Sequence, residues 1–260
     1  MTTTALAERE SVRRDGRGGR GGWAAGLLVR PAVIAVIAGA LWWYLHGQQL
    51  DDIERRSING PVISQLLWQH VQLTAVSSLA VIVIAVPLGV LLTRHWLRRA
   101  GAPILAVANI GQAIPSIGVL VLLAVAVGIG FREAVFALVL ASVLPVLRNT
   151  MVGLTQVDRS LIDAGRGMGM TRTAVLFRVE LPLAVPVILA GIRIALILNV
   201  GSATLATFTN AGGLGTLINS GIAFDRMPVL ITGSVLTALL ALTVDWLGGL
   251  AERILRPRGL

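Results

Sequence analysis

Long stretches without an ionisable side chain dominate the chain and alternate with short segments that collect its charges. The longest charge-free stretches cover residues 71–93, 103–130, 194–224 and 227–244. A helix needs about 20 mostly apolar residues to cross a hydrocarbon core of ~30 Å. A soluble protein of 260 residues seldom contains several such stretches. The pattern therefore predicts an all-α integral membrane protein.

About six membrane-spanning helices are predicted from the same pattern. Their expected bounds are 23–45, 71–92, 104–130, 134–154, 183–208 and 227–250. The charge-free part of the fourth is short, because Arg148 interrupts it. Aromatic residues at 42–44 mark one end of the first span, as is typical of a membrane interface. A signal-peptide cleavage site at 38–40 would fall inside the apolar run, so we interpret the first span as an uncleaved anchor.

The charges indicate how the spans are oriented. All 22 basic residues are arginines, and the formal net charge is +9. With a cytoplasmic N-terminus, seventeen arginines fall on the cytoplasmic side and four on the outer side. This excess follows the positive-inside rule and predicts that both termini are cytoplasmic in a bacterial plasma membrane. The Gly- and Arg-rich segment 1–22 is predicted to be a disordered cytoplasmic tail rather than a nucleic-acid-binding segment, and 251–260 a second tail.

Several kinds of chemistry are excluded by residues that the chain lacks. There is no cysteine, which excludes disulfides and thiolate sites. There is no lysine, which a Gly-x4-Gly-Lys-Ser/Thr phosphate-binding loop requires. The three histidines are scattered and show no metal-ligand or catalytic spacing. We therefore expect no catalytic residue, no metal site and no cofactor on this chain, and no enzymatic activity of its own.

The polar segment 158–182, between the fourth and fifth spans, carries the most informative pattern. Apolar residues recur at helical spacing within 160–168, which predicts a short amphipathic helix. Gly169 permits a sharp reversal, and Thr171 is a suitable cap for a second helix. Pro182 stands where the next span begins. The segment is predicted to form a hairpin of two short helices on the inner membrane face, a natural docking surface for a cytoplasmic partner.

The spacing within this segment resembles a motif of ABC importer permeases. That motif reads Glu-Ala-Ala, three residues, Gly, nine residues, and Ile-x-Leu-Pro. The spacing agrees throughout, and three residues differ conservatively: Asp for Glu, Gly for Ala and Val for Ile. The corresponding residues here are Asp163, Ala164, Gly165, Gly169, Val179, Glu180, Leu181 and Pro182.

In that family the segment forms a coupling helix that sits in a cleft of the ATPase subunit. The resemblance therefore implies a MetI-like type I importer core with one extra N-terminal span, and a cytoplasmic ABC ATPase dimer that carries the ATP and Mg²⁺. It also implies a second permease copy or a sister permease, and an extracytoplasmic substrate-binding protein. The residues implied to couple to the ATPase are Asp163, Ala164, Gly165, Gly169, Met170, Val179, Leu181 and Pro182.

Three further stretches narrow the resemblance. Residues 112–120, 167–195 and 211–222 look like parts of importers for quaternary-amine osmoprotectants such as glycine betaine, carnitine, choline or proline betaine. The resemblance covers about residues 65–250, the expected transmembrane domain, and leaves 23–64 as the extra span with an extracytoplasmic loop. A permease for another small zwitterion or amino acid, such as ergothioneine, is the alternative. Because the chain has few aromatic residues for a cation cage, selectivity is expected in the separate binding protein.

Polar residues inside the predicted spans are candidates for the translocation pathway. A proline in a membrane helix frees a backbone carbonyl, and the resulting kink either lines a cavity or serves packing. An arginine in lipid is costly, so Arg193 should face a partner helix or water, and Asp245 is its candidate ion-pair partner. The candidate pathway residues are Gln112, Pro115, Ser116, Arg193 and Asn199. The candidates for an external gate, or alternatively a simple reversal, are Gly212, Gly213 and Gly215.

Two other classes of membrane protein compete with this interpretation. A secondary transporter driven by an ion gradient usually carries intramembrane carboxylates for the coupling ion. Asp245 is the one candidate here, and it lies near a span end. A membrane anchor or assembly protein would leave the pattern of 158–182 unexplained. The ABC permease interpretation is therefore favoured.

Overall fold

The computed structural model describes the backbone of residues 21–255 and the side chains of residues 28–255. The predicted tail at 1–22 lies almost wholly outside this range, as does half of 251–260. Every regular element in the described range is helical. The α-helices are α1 (Gly21–His46), α2 (Asp52–Ser57), α3 (Gly60–Thr93), α4 (Gly101–Ala113), α5 (Ser116–Ala126), α6 (Phe131–Thr155), α7 (Arg159–Gly167), α8 (Arg172–Val175), α9 (Leu181–Ala203), α10 (Gly215–Ala223) and α11 (Met227–Leu255).

Five helices are long and apolar enough to cross a membrane, namely α1, α3, α6, α9 and α11. Helices α4 and α5 qualify as a sixth span only together, and they meet at a 90° bend. The span predicted over 104–130 is therefore two helices, and the kink expected at Pro115 is a complete break between them. Pro115 forces the preceding Ile114 into an extended conformation (ψ 127°), and its missing N–H cannot continue the helical hydrogen-bond ladder. Counted with the bent pair, the prediction of about six spans is confirmed.

Helix α3 begins at Gly60, well before the predicted start at residue 71. The Asn59 side chain caps it by accepting a hydrogen bond from the Val62 N–H at 2.9 Å. The segment predicted as a polar loop thus contains the first turns of α3 and the short helix α2. A charge-free stretch indicates which residues lie at the depth of the lipid, whereas the helix itself extends to its capping residues. The predicted start of the span and the start of the helix therefore differ.

The core of the bundle is formed by α3, α6 and α9, with α6 in contact with both of the others. Small residues allow the backbones to approach closely, as is usual for helices packed in lipid. A Cβ at Gly191 of α9 would lie 2.6 Å from Asn149 Cβ on α6. A Cβ at Gly89 of α3 would lie 2.7 Å from Thr150 Cβ, also on α6. Side chains larger than hydrogen at these two crossings would push the helices apart.

Helix α11 connects this core to the periphery, because it packs on α9, α10 and α1. The spans alternate in direction, so that two ends of the bundle can be distinguished. One end carries the segment 158–182 and most of the arginines, and we call it the arginine-rich end. The opposite end carries α2 and α10. The two ends contain the two clusters of candidate functional residues.

Candidate functional site

The segment 158–182 folds as the predicted hairpin of helices α7 and α8. Asp158 caps α7, and the Ser160 N–H donates to its carboxylate at 2.9 Å. This backbone hydrogen bond holds the pKa of Asp158 below its usual value. At the start of α8, the Thr171 hydroxyl oxygen accepts from the Ala174 N–H at 3.2 Å, as predicted for a cap. We call residues 158–182 the hairpin below.

Gly169 makes the reversal between the two arms. Its φ is +84°, in the region that glycine adopts without strain. The Gly169 N–H donates to the Arg166 carbonyl at 2.9 Å, and the Met170 N–H donates to the Gly165 carbonyl at 3.1 Å. These two hydrogen bonds form a Schellman motif, which satisfies the last carbonyls of α7. The predicted role of Gly169 in the turn is confirmed.

The hairpin divides its residues between a packed face and a free face. Gly165 is buried, and a Cβ there would lie 3.5 Å from Met170 Sδ and from Val175 Cγ2. Val179, Leu181 and Pro182 are half-buried and belong to the packed side. The exposed residues of α7 and its cap include Leu161, Asp163, Ala164 and Met168. Leu161, Ala164 and Met168 lie within about 60° of one another around the helix and form an exposed apolar stripe, as a docking surface requires, whereas Asp163 lies on the opposite side.

A π-helical turn, Leu176–Glu180, joins the second arm of the hairpin to α9. In it the Leu181 N–H donates to the Leu176 carbonyl, five residues earlier. Such turns are rare and occur often at functional sites. The last residue of the turn is Glu180, whose side chain is 8% exposed. The turn thus places a carboxylate inside the protein at the root of the hairpin.

Glu180 forms an ion pair with Arg94, the residue that ends α3. The two oxygens of Glu180 accept from Arg94 Nη2 at 2.6 Å and from Nη1 at 3.3 Å. Arg94 is in turn fixed to α3, because its Nε donates to the Val90 carbonyl at 3.3 Å. Sequence reasoning missed this pair and counted Arg94 only for orientation. The available signal was that Glu180 is the one acidic residue between Asp163 and Asp225.

At the opposite end, the loop 210–215 contacts α3 through its backbone. Gly212 and Gly213 have φ of +77° and +92°, so the loop reverses sharply. The Gly213 N–H donates to Gln69 Oε1 at 3.1 Å, and the Leu214 N–H donates to His70 Nδ1 at 3.2 Å. Glycine is also required at Gly215, where a Cβ would overlap the Thr204 carbonyl oxygen. The three candidate gate glycines therefore lie in one loop, although a gating role stays a prediction.

His70 connects this loop to the end of α9. Its Nε2 lies 3.0 Å from the Val200 carbonyl oxygen, which can only accept. Its Nδ1 accepts from a backbone N–H, so the ring is neutral with its proton on Nε2. The residue is fully buried. The sequence alone does not distinguish His70 from the other two histidines, because its partners are 130 and 144 residues away.

The structure does not bring the five candidate pathway residues together in one place. Pro115 and Ser116 lie at the bend between α4 and α5, and Gln112 donates to the Ala141 carbonyl of α6 at 3.0 Å. Asn199 is buried on α9 and donates to the Ser78 hydroxyl of α3 at 2.9 Å. Their role in a pathway stays a prediction.

Arg193 lies between α9 and α11, where it forms the expected ion pair. Its Nε donates to Asp245 Oδ1 at 2.6 Å, and its Nη1 lies 3.7 Å from Glu252 Oε2. The second oxygen of Asp245 lies 3.3 Å from Nη1 of Arg30 on α1. Two arginines and two carboxylates thus offset each other in a cluster that joins α1, α9 and α11. Among the described residues, no three His, Asp or Glu side chains are arranged to hold a metal ion.

Comparison with known families gives a match over most of this bundle. The model of the family described as "Binding-protein-dependent transport system inner membrane component" matches residues 85–257. The match includes the hairpin and the loop 210–215. Helices α1 and α2 precede it.

Individual relatives extend the similarity. The chain is 38% identical over 206 residues to carnitine transport permease protein OpuCD of Listeria monocytogenes, covering 79% of this chain and 92% of that one. It is 39% identical over 202 residues to choline transport system permease protein OpuBB of Bacillus subtilis, covering 78% and 92%. A solved chain of the MetNI methionine ABC transporter, inward facing, superposes with a TM-score of 0.65 at 28% identity, covering 77% of this chain and all of that one.

Proposed function

Since the chain belongs to the family of inner membrane components of binding-protein-dependent transport systems, we propose that it is the permease subunit of an ABC importer for small quaternary-amine osmoprotectants. Its spans would form the translocation pathway. ATP and Mg²⁺ would be bound by a separate ATPase dimer on the cytoplasmic side, and this chain would hold no cofactor of its own.

The observation that carries the proposal is the free face of the hairpin. Leu161, Ala164 and Met168 form an exposed apolar stripe along one side of the first arm of the hairpin. Leu161 is 46% exposed and Met168 is 72% exposed, which is costly in water unless a partner covers them. Because the helix is short and the stripe is uncovered, the helix can enter a cleft of a partner protein. We propose the ATPase subunit as that partner.

The orientation and the domain bounds are part of the same proposal. The arginine-rich end would be cytoplasmic, following the positive-inside rule, and the loop 210–215 would lie at the outer end. Residues 65–250 would form the transport domain, and residues 23–64 an added span with an outer loop. A second permease, either another copy or a sister chain, would complete the pathway. Helices α4 and α5 expose apolar side chains that such a partner or lipid would cover, including Val107, Ile110, Leu122 and Val125.

The substrate class rests on the relatives, whose names state carnitine and choline. Recognition of a quaternary ammonium group usually needs a cage of aromatic rings. Trp42, Trp43 and Trp68 are among the few large aromatics, and all three are exposed at the outer ends of α1 and α3. We therefore propose that selection occurs in a separate extracytoplasmic binding protein.

Reconstitution tests the proposal directly. The permease would be placed in liposomes with its ATPase subunit and binding protein, and uptake of labelled glycine betaine, carnitine and choline would be measured. We expect uptake only when ATP is inside the liposomes, on the side of the ATPase subunit, and the binding protein is present. Uptake driven by a sodium or proton gradient without the ATPase would refute the proposal. ATP-driven uptake of ergothioneine or an amino acid alone would keep the permease assignment and refute the substrate class.

A further inference from the structure

We infer that α3 transmits movement of the hairpin to the loop 210–215, and that Arg94 is the positioning residue that attaches α3 to the hairpin. This inference rests on the coupling role proposed for the hairpin. It assigns a function to Arg94, Glu180, Gln69 and His70. Glu180 occupies the unspecified position of the Ile-x-Leu-Pro part of the motif, and the other three residues lie outside the motif.

The inner attachment is the ion pair at the root of the hairpin. Glu180 is almost fully buried and is engaged by two nitrogens of Arg94. Arg94 is held against α3 by bonds to Val90 and to the Thr93 hydroxyl. Both partners are therefore fixed to their own elements. Since a buried carboxylate cannot be left without its partner at low cost, the hairpin root and the end of α3 must move together.

The outer attachment is the pair of side chains at Gln69 and His70. Both accept hydrogen bonds from backbone N–H groups of the loop 210–215. His70 also donates to the end of α9, at Val200. His70 and Arg94 are 24 residues apart on one continuous helix, or about 36 Å at 1.5 Å per residue. Helix α3 thus spans the distance between the hairpin and the loop.

The covalent route through α9 is less direct. It begins with the π-helical turn and ends in the 3-10 turn Thr204–Thr209 before it reaches the loop, and each route contains one proline, Pro186 in α9 and Pro87 in α3. The Arg94–Glu180 pair attaches α3 at the last residue of the π turn, so the route through α3 separates from α9 there and avoids the 3-10 turn, which can absorb a displacement. Residues along such a connection change the coupling without touching either partner protein.

A charge-swap experiment tests the role of the pair. The variants are Arg94→Gln, Glu180→Gln and the double variant Arg94→Glu with Glu180→Arg, and the control is Arg98→Gln. Arg98 is an exposed arginine of the same region with no carboxylate partner among the described residues. Each variant is purified with the ATPase subunit, and ATP hydrolysis is measured with and without substrate-loaded binding protein.

We expect the single variants to co-purify with the ATPase subunit, while their stimulation by the binding protein and their uptake fall by about three- to thirtyfold. The swapped pair should recover most of both, because it restores an ion pair between the same two positions. Arg98→Gln should behave as the unsubstituted protein.

A second measurement follows the outer loop itself. Because the chain has no cysteine, Ala211→Cys gives a single thiol in that loop. Its rate of labelling by an impermeant reagent should change when ATP and loaded binding protein are added. In the Arg94→Gln background we expect that change to be lost.

The outcomes separate this inference from the proposed function. Full stimulation and uptake in both single variants would overturn the inference. The coupling role of the hairpin would still stand in that case, provided that Gly169→Val no longer bound the ATPase subunit. The single variants could instead lose both their level in the membrane and their co-purification with the ATPase subunit, and the swap could restore both. The pair would then have a structural role only, which would also overturn the inference. If Gly169→Val too were without effect, the coupling role itself would fail.

Discussion

Gly169 offers the sharpest test of the hairpin, because the structure isolates the cost of a substitution there. Its φ is +84°, and a Cβ at this position would meet nothing within 4 Å. Substitution by valine therefore adds no clash with a neighbour and strains only the backbone of the turn. For a β-branched residue that strain is about 1–3 kcal/mol, and the two Schellman hydrogen bonds depend on the same geometry.

If docking requires the ordered hairpin, this strain appears in the affinity for the ATPase subunit. About 1–3 kcal/mol corresponds to a loss of roughly five- to a hundred-and-fifty-fold. The matched control is Gly165→Ala in the first arm. Its Cβ would sit at ordinary contact distances of 3.5 Å, and alanine improves helix propensity by about 0.8–1 kcal/mol. Valine is unsuitable there, because Gly165 is buried against Val175 and Val179.

The assay is co-elution of the ATPase subunit with the purified permease, together with substrate uptake in cells. We expect Gly169→Val to reach the membrane at normal levels and to lose both co-elution and uptake. Gly165→Ala should retain both. If Gly169→Val binds the ATPase subunit and transports as the unsubstituted protein does, the hairpin is not the docking element.

Three further predictions concern packing, charge and orientation. Gly191→Ala should lower the folded yield in detergent, because its Cβ would collide with α6. The control is Gly201→Ala on the same helix, where the Cβ would lie in open space and the yield should not change. Equal yields of the two variants would contradict the packing of α9 on α6. Asp245→Asn should cost about 1–2 kcal/mol of stability, read as a lower thermal midpoint, because two arginines lose a partner; an unchanged midpoint would show that the cluster contributes nothing. Single cysteines at Gln49 and Gly167 should be labelled from outside only at Gln49, and the reverse would overturn the orientation.

The positions of the spans followed from the sequence because charges are excluded from lipid, whatever the fold around them. The turn at Gly169 and the cap at Thr171 were also predictable, since both depend on residues that are close in the chain. The kink at Pro115 in the span 104–130 was predictable from the proline, whereas its size, a 90° break into two helices, was not, because hydropathy does not register it. The start of α3 was misplaced because its cap, Asn59, lies in a stretch that was interpreted as a loop.

The pairings between distant residues were mostly beyond the reach of one sequence. Arg94 and Glu180 are 86 residues apart, and nothing local distinguishes Arg94 from its neighbours Arg98 and Arg99. His70 has no local partner, so its position between two backbone groups becomes visible only when α3, α9 and the loop are assembled. The pair of Arg193 and Asp245 was named in advance because an intramembrane arginine needs a counter-charge and few carboxylates were available.

The charge cluster at Asp245 also has a consequence for the order in which the chain is assembled during synthesis. Arg30 and Arg193 enter the membrane before the carboxylate that they share, because α11 is the last helix to be made. An arginine at the centre of an isolated membrane helix costs about 2.5–3.5 kcal/mol, so α9 is poorly stable in lipid until α11 arrives. The first helix, although synthesised first, reaches its docked position only after the last one. Nascent chains released before Asp245 should therefore leave Arg193 exposed within the bilayer, a feature by which quality-control proteases can recognise an incomplete subunit.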